Sequence, residues 1–152
     1  MEVLIAASIV TASILAIVGV YATFLKQTFT NTPAIQAAYL SEEGIEALKT
    51  MRDFGWVSNI ASLTASSTYR LYFNTGLSRW QATTSTSSAM IDSTFDRTFV
   101  LENAYRDASD NLASSGTADS NTRKVTVTVS WSSKGATSTK TLMTYISNLF
   151  DN

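Results

Sequence analysis

The side chains best placed to do chemistry in this 152-residue chain are carboxylates, and three placements among them stand out. Glu42, Glu43 and Glu46 lie within about one turn of a candidate helix, where clustered acids can serve acid catalysis or ligate a metal. Asp107, Asp110 and Asp119 lie in a Ser- and Gly-containing stretch, where spaced acids can bind calcium. Glu2 stands alone at the edge of a long apolar run. For the glutamate trio no third ligand type is nearby, Glu42 and Glu46 repel across one turn, and Glu46 reaches Lys49, so the expected role is a solvated helix face. The aspartates lack the alternate-position acids of a known calcium loop, and the expectation from Asp107 to Thr122 is an exposed, flexible connection. The chain has no histidine and no cysteine, which removes imidazole catalysis, Ser-His-Asp chemistry, the usual zinc sites and disulfides. No catalytic residue, metal ligand or cofactor is therefore assigned, and an enzyme is not expected.

Composition narrows the remaining classes. Net charge is -1 and no basic stripe stands out, so nucleic acid is not expected as a dedicated ligand. Trp56, Trp80, Trp131, Tyr69 and Tyr72 read as packing residues of a core and sheet rather than as an adhesive platform. Charged residues make up 15% of the chain, against about 25% in an average soluble domain. The deficit is concentrated at one end, because nothing from Val3 to Leu25 is charged.

That stretch would form a helix about 34 Å long, enough to cross a bilayer core of about 30 Å. Its polar residues, Ser8, Thr11, Ser13 and Thr23, can bond back to the carbonyl one turn earlier and so cost little in an apolar medium. A secretory signal peptide needs a basic start, whereas the first basic residue here is Lys26. A single-span anchor fits by length and hydropathy. Two features favour a helix that associates with others. Ser8, Ala12 and Ala16 fall four apart, with Ala6, Ala7, Ser13, Gly19 and Ala22 adding small residues and Leu4, Ile9, Ile14, Leu15 and Val18 supplying bulk. Such spacing lets backbones approach closely where water is absent. Glu2, in turn, is costly beside lipid unless it meets a positive partner.

The rest of the chain reads as an α+β domain. Thr32-Pro33 resembles a helix start, with Thr32 as N-cap and Pro33 in the first turn; the alternative is one long helix bent at Pro33. Either way a helix is expected over about 33–54, ending at Gly55, with Ala34, Ala38, Ser41, Ile45, Leu48 and Arg52 on one face and Ile45, Leu48 and Met51 as its apolar stripe. Gly44 inside it offers a place for close packing on a sheet. Strands are expected near 69–74, 79–83, 97–105, 123–131 and 139–146. The first two are joined by a hairpin through Thr75 to Ser78, and the last is entered through a turn at Lys134-Gly135. Val125, Val127, Val129 and Trp131 alternate with Lys124, Thr126, Thr128 and Ser130, the period of a half-buried antiparallel strand. The expected organisation is an apolar helical segment over 1–30 and a globular head over 31–152. The head is a helix on an antiparallel sheet of four or five strands.

The run Glu2-Val3-Leu4-Ile5 resembles the start of the long apolar helix in type IV pilins and pseudopilins. The stretch from Tyr39 to Asp53 resembles the second half of that helix, and Val129-Ser-Trp131 with Leu142 to Ser147 resembles the last two strands. The likeness covers the whole chain loosely and the first 25 residues most closely. It departs from the family pattern in having only Met1 before the glutamate instead of four residues, and in lacking a basic leader ending in Gly. The expectation is a chain already processed or shortened.

The resemblance implies a pilin fold and a structural subunit of an extracellular type IV pilus-like filament, assembled for surface attachment or motility. Its partners would be copies of itself, the pilus assembly machinery in the membrane, and the membrane before assembly, with an inner-membrane pool of unassembled subunits. The residues implied in assembly are Met1, Glu2, Leu4, Ala6, Ser8, Ala12, Ala16 and Gly19. Other readings are a pseudopilin or minor pilin of a secretion or DNA-uptake system, and a monomeric membrane-anchored binding protein. Many family members carry a proline where Gly19 falls here, so Gly19 and Pro33 are the expected points of helix bending. Glycine weakens a helix interior by about 1 kcal/mol relative to alanine. In assembled copies, the helix is accordingly expected to loosen between about Ala16 and Ala22; a filament density map with unbroken backbone hydrogen bonds through Gly19 rejects this.

Overall fold

A computed structural model describes residues 1–86, 90–133 and 135–150, with the backbone alone for residues 29 and 30. The chain divides into two compact units, Met1–Ile35 and Gln36–Asn152. The first helix, α1 (Glu2–Asp53), contributes to both and contains Pro33. Of the two sequence readings at this point, the continuous helix is the one observed. Thr32 does not cap a new helix, because its hydroxyl donates to the carbonyl of Thr28 at 3.0 Å. A capping side chain must instead accept from the amides that follow it. Helical assignment also continues through Gly19 in the single chain, so any loosening there belongs to the assembled state.

In the first unit none of the described side chains of α1 is buried in a core, and the large apolar ones from Val3 to Phe24 are exposed. In the second unit the helix becomes one-sided. Ala37, Ser41, Gly44, Ile45, Ala47, Leu48 and Met51 are buried, while Glu42, Glu43, Glu46 and Thr50 are exposed. This is the spacing of a single buried stripe. It begins at Ala37 rather than Ala34, which is exposed, and Ala38 is half-buried.

α1 ends at Asp53, and Gly55 follows with φ +149°, a conformation open to glycine but strained for other residues. The chain then enters a short π-helix, Val57–Ala61, within the segment that sequence composition marks only as a connection. Asn59 ties it back by donating from Nδ2 to the carbonyl of Met51 at 3.2 Å. Trp56 and Ile60 are thereby turned into the core.

The sheet has six strands: β1 (Thr68–Asn74), β2 (Arg79–Thr83), β3 (Phe95–Arg106), β4 (Leu112–Ala113), β5 (Thr117–Ser133) and β6 (Ala136–Ser147). Their order is β2-β1-β3-β5-β6, with β4 paired to β3, and every pairing is antiparallel. The five expected strands are present, and the count is corrected to six by β4. The span 107–122 is likewise not one long loop. Thr117 to Asp119 pairs with Arg106 to Ala104, past a register shift between Asn103 and Ala104. Of the turn before β6, Lys134 lies outside the described residues, and Gly135 has φ +80°, in the left-handed region that favours glycine.

Alternate residues of three strands build the core, with Tyr69 and Leu71 from β1, Phe99 and Leu101 from β3, and Val125 and Val127 from β5 packing on Ile45, Leu48 and Met51. Tyr69 and Phe99 stack at 5.5 Å, and the Tyr69 hydroxyl accepts the Thr64 amide at 2.9 Å, so the buried phenol is satisfied. A smaller cluster of Ala37, Phe95, Val129 and Trp131 continues the core along the same helix.

Helix and sheet approach closely at Gly44. A Cβ there would lie 2.9 Å from Val127 Cγ1 and 3.2 Å from Arg97 Cδ, and Val127 is fully buried. Gly19 differs, since a Cβ added there meets nothing within 4 Å. Replacing Gly44 with leucine is therefore expected to destabilise the sheet domain by about 1–3 kcal/mol through overpacking, lowering its melting temperature. Gly19→Ala should leave that melting unchanged. Equal melting of the two variants, followed by circular dichroism, contradicts the close approach.

Candidate assembly surface

The largest unsatisfied surface is the first half of α1. Its most apolar stretch is nowhere buried. Twelve large apolar residues from Val3 to Phe24 are exposed, none less than 55%. They occupy all sides of the helix, and a helix apolar all round is stable only when surrounded by lipid or protein.

The polar groups of this surface are turned inward. Ser8 donates to the carbonyl of Ile5 at 2.7 Å, Thr11 to Ala7 at 2.8 Å, Ser13 to Ile9 at 2.8 Å and Thr23 to Gly19 at 2.9 Å. Each hydroxyl proton is spent on the helix's own backbone, so the surface enters a dry environment without stranding a donor. Met1, Glu2, Leu4, Ala6, Ser8, Ala12, Ala16 and Gly19 are all exposed on this segment. Being spread along successive turns of the helix, they do not converge on a point.

One apolar hollow forms on the segment, lined by Ala16, Ile17, Val20, Tyr21 and Phe24. Small-residue spacing singles out only Ala16 of these. The signal for the others was available in the sequence as the helical spacing 16, 17, 20, 21, 24, with two aromatic rings at its end.

The acidic clusters have other occupations. Glu43 pairs with Arg97 at 3.0 Å and Glu46 with Lys49 at 2.7 Å. Among the described residues, no three His, Cys, Asp or Glu side chains gather where they could hold a metal ion. Arg97 was not legible as a key residue, yet its side chain is 4% exposed. Its guanidinium donates to the carbonyl of Leu40 at 3.2 Å and lies 5.3 Å from the centre of the Trp80 ring. It thus ties α1 to β3 and to the edge hairpin, by hydrogen bond, ion pair and cation–π contact together. The clue in the sequence was a charged residue at an inward position of the series Phe95, Arg97, Phe99, Leu101.

The architecture of a long N-terminal helix and an antiparallel sheet is loosely compatible with a pilin-like fold. Comparison with protein-family models, curated proteins and solved structures returned no match.

The aspartates of 107–119 serve their own turn. Asp107 Oδ1 accepts the amides of Ser109 and Asn111 at 2.8 and 2.9 Å. Asp119 accepts Arg106 Nε at 2.7 Å, and Arg106 also donates to the carbonyl of Asp110 at 2.8 Å. These contacts fasten the β3–β4 turn to the start of β5. Backbone amides of Asn111 and Ser109 hold the Asp107 carboxyl below the usual aspartate range. Asp119 is lowered first by Arg106, then by the Thr122 hydroxyl and the Asn121 amide. A carboxyl with a lower pKa folded than unfolded stabilises the fold above the unfolded value, and that contribution is lost as pH falls through the folded one. Asp119→Asn is thus expected to lower the melting temperature at pH 7, with the gap to wild type narrowing below about pH 4. A gap independent of pH in thermal melts overturns the assignment.

Proposed function

We propose that the chain is a structural subunit of an extracellular, type IV pilus-like filament, assembling through residues 1–25 from an inner-membrane pool of unassembled subunits. The observation that carries this reading is an apolar helix exposed on all sides whose hydroxyls are already bonded within the helix. Such a surface is suited to exchange lipid neighbours for copies of itself. Measured against water, twelve large side chains at about 1.5–3 kcal/mol for full burial, already partly covered by the helix itself, make a burial term on the order of 20 kcal/mol, which holds the segment among lipid or copies and opposes its release into water. Divided among several neighbours, it makes each contact weak and the polymer firm. The role is mechanical rather than catalytic, and the sheet domain, with its independent core, is the part that faces outward for surface attachment or motility.

Glu2 supports the reading as a register device, because a carboxylate beside apolar helices is tolerated only when each copy meets a positive group on another. A pseudopilin or minor pilin would use the same polymerising physics and differ in filament length. Glu2→Ala is expected to abolish or deregulate filaments while the sheet domain keeps its melting temperature. Electron microscopy of sheared cell-surface fibres, with this chain identified in them, provides the check. Normal filaments from Glu2→Ala count against the role of Glu2, and dispersed monomers of the wild-type protein after detergent removal sink the filament reading altogether.

A further inference from the structure

We infer that Lys26 of one copy is the cation that meets Glu2 of another, fixing the axial displacement of those two copies at the length of the segment between the charges, about 36 Å where the helix is unbroken and more where it loosens; this rests on the filament reading above. From Met1 to Ser41 the charged side chains are Glu2 and Lys26 alone. Both are exposed and both lie on the same continuous helix. They bracket the apolar run, one at each end. Twenty-four residues at about 1.5 Å rise separate them by about 36 Å along the axis, so they cannot meet within one straight helix. A second copy is the partner that can bring them together.

The geometry of an unbroken apolar core leads to the same displacement. Residues 3–25 of one copy cover only about 34 Å of axis. The core continues without a polar gap when the apolar run of a further copy begins where the first ends. At that junction, the residue before one run and the residue after the other stand at the same level. These are Glu2 and Lys26, of opposite sign. Copies placed side by side without displacement would instead ring the carboxylates together at one end and the ammonium groups at the other, which is repulsive at both. The flexible four-carbon stem of lysine lies along apolar neighbours while its ammonium reaches the carboxylate. An ion pair in such surroundings specifies register more than it adds stability, since either charge left alone there is costly.

The test compares full-length wild type, Lys26→Gln and Lys26→Arg in cells, reading sheared filaments by electron microscopy and immunoblot. A tenfold or greater loss of filaments with Lys26→Gln, and near wild-type yield with Lys26→Arg, is expected. Because the chain contains no cysteine, a Val3→Cys/Gln27→Cys variant that keeps both charges gives a second readout. Oxidation of its filaments should produce a ladder of covalent multimers, and either single-cysteine variant should stop at dimers. Normal filaments from Lys26→Gln, equal loss with glutamine and arginine, or filaments of the double-cysteine variant without a ladder each overturn the pairing. If wild type forms filaments in the same experiment, the filament reading survives that failure. Wild type without filaments removes both.

Discussion

A helix that is apolar on every side has no stable place in water. The first half of α1 carries enough exposed hydrocarbon to outweigh the whole folding stability of an ordinary domain, about 5–15 kcal/mol. That imbalance constrains everything else. The sheet domain must fold without borrowing from this segment, and it does so on a core supplied by residues from Ala37 onward. The segment, in turn, must be insulated from water by something other than its own chain.

The change in the helix at about residue 36 expresses the same constraint in sequence. From Val3 to Leu25 apolar residues surround the axis; from Ala37 onward they narrow to a stripe that faces β1, β3 and β5. Gly44 marks a close approach of helix and sheet. Arg97, enclosed by the Leu40 carbonyl, Glu43 and the Trp80 ring, fixes the helix to the sheet with directional contacts that packing alone would not supply. A leucine at position 97 could fill space there, but it could not choose among nearby helix rotations.

Much of this was legible beforehand. The alternation of Val125, Val127, Val129 and Trp131 identified β5 because a strand half buried against a helix must repeat every two residues. The stripe Ile45, Leu48, Met51 identified the packed part of α1 in the same way. What escaped was structure held by polar groups. β4 is two residues long and depends on the turn organised by Asp107, and the first residues of β5 are tied down by the Arg106–Asp119 pair. Neither has a hydrophobic signature, so a run of Asp, Ser and Gly read as loop. At Pro33 the local signal favoured a fresh start, but helix was present on both sides and Thr32 spent its hydroxyl backwards. In the apolar segment, small residues drew attention to one set of positions, while the rings of Tyr21 and Phe24 shape a hollow that size alone did not announce.

The backward-bonded hydroxyls of Ser8, Thr11, Ser13 and Thr23 have a thermodynamic corollary. None of these four hydroxyl bonds would have to change if this segment passed from fatty acyl chains to a packed bundle, so for them such an exchange would swap one set of dispersion contacts for another of similar strength. The two environments are then nearly isoenergetic for the segment itself. In the filament proposed above, that near balance would let modest mechanical work decide which environment the segment occupies.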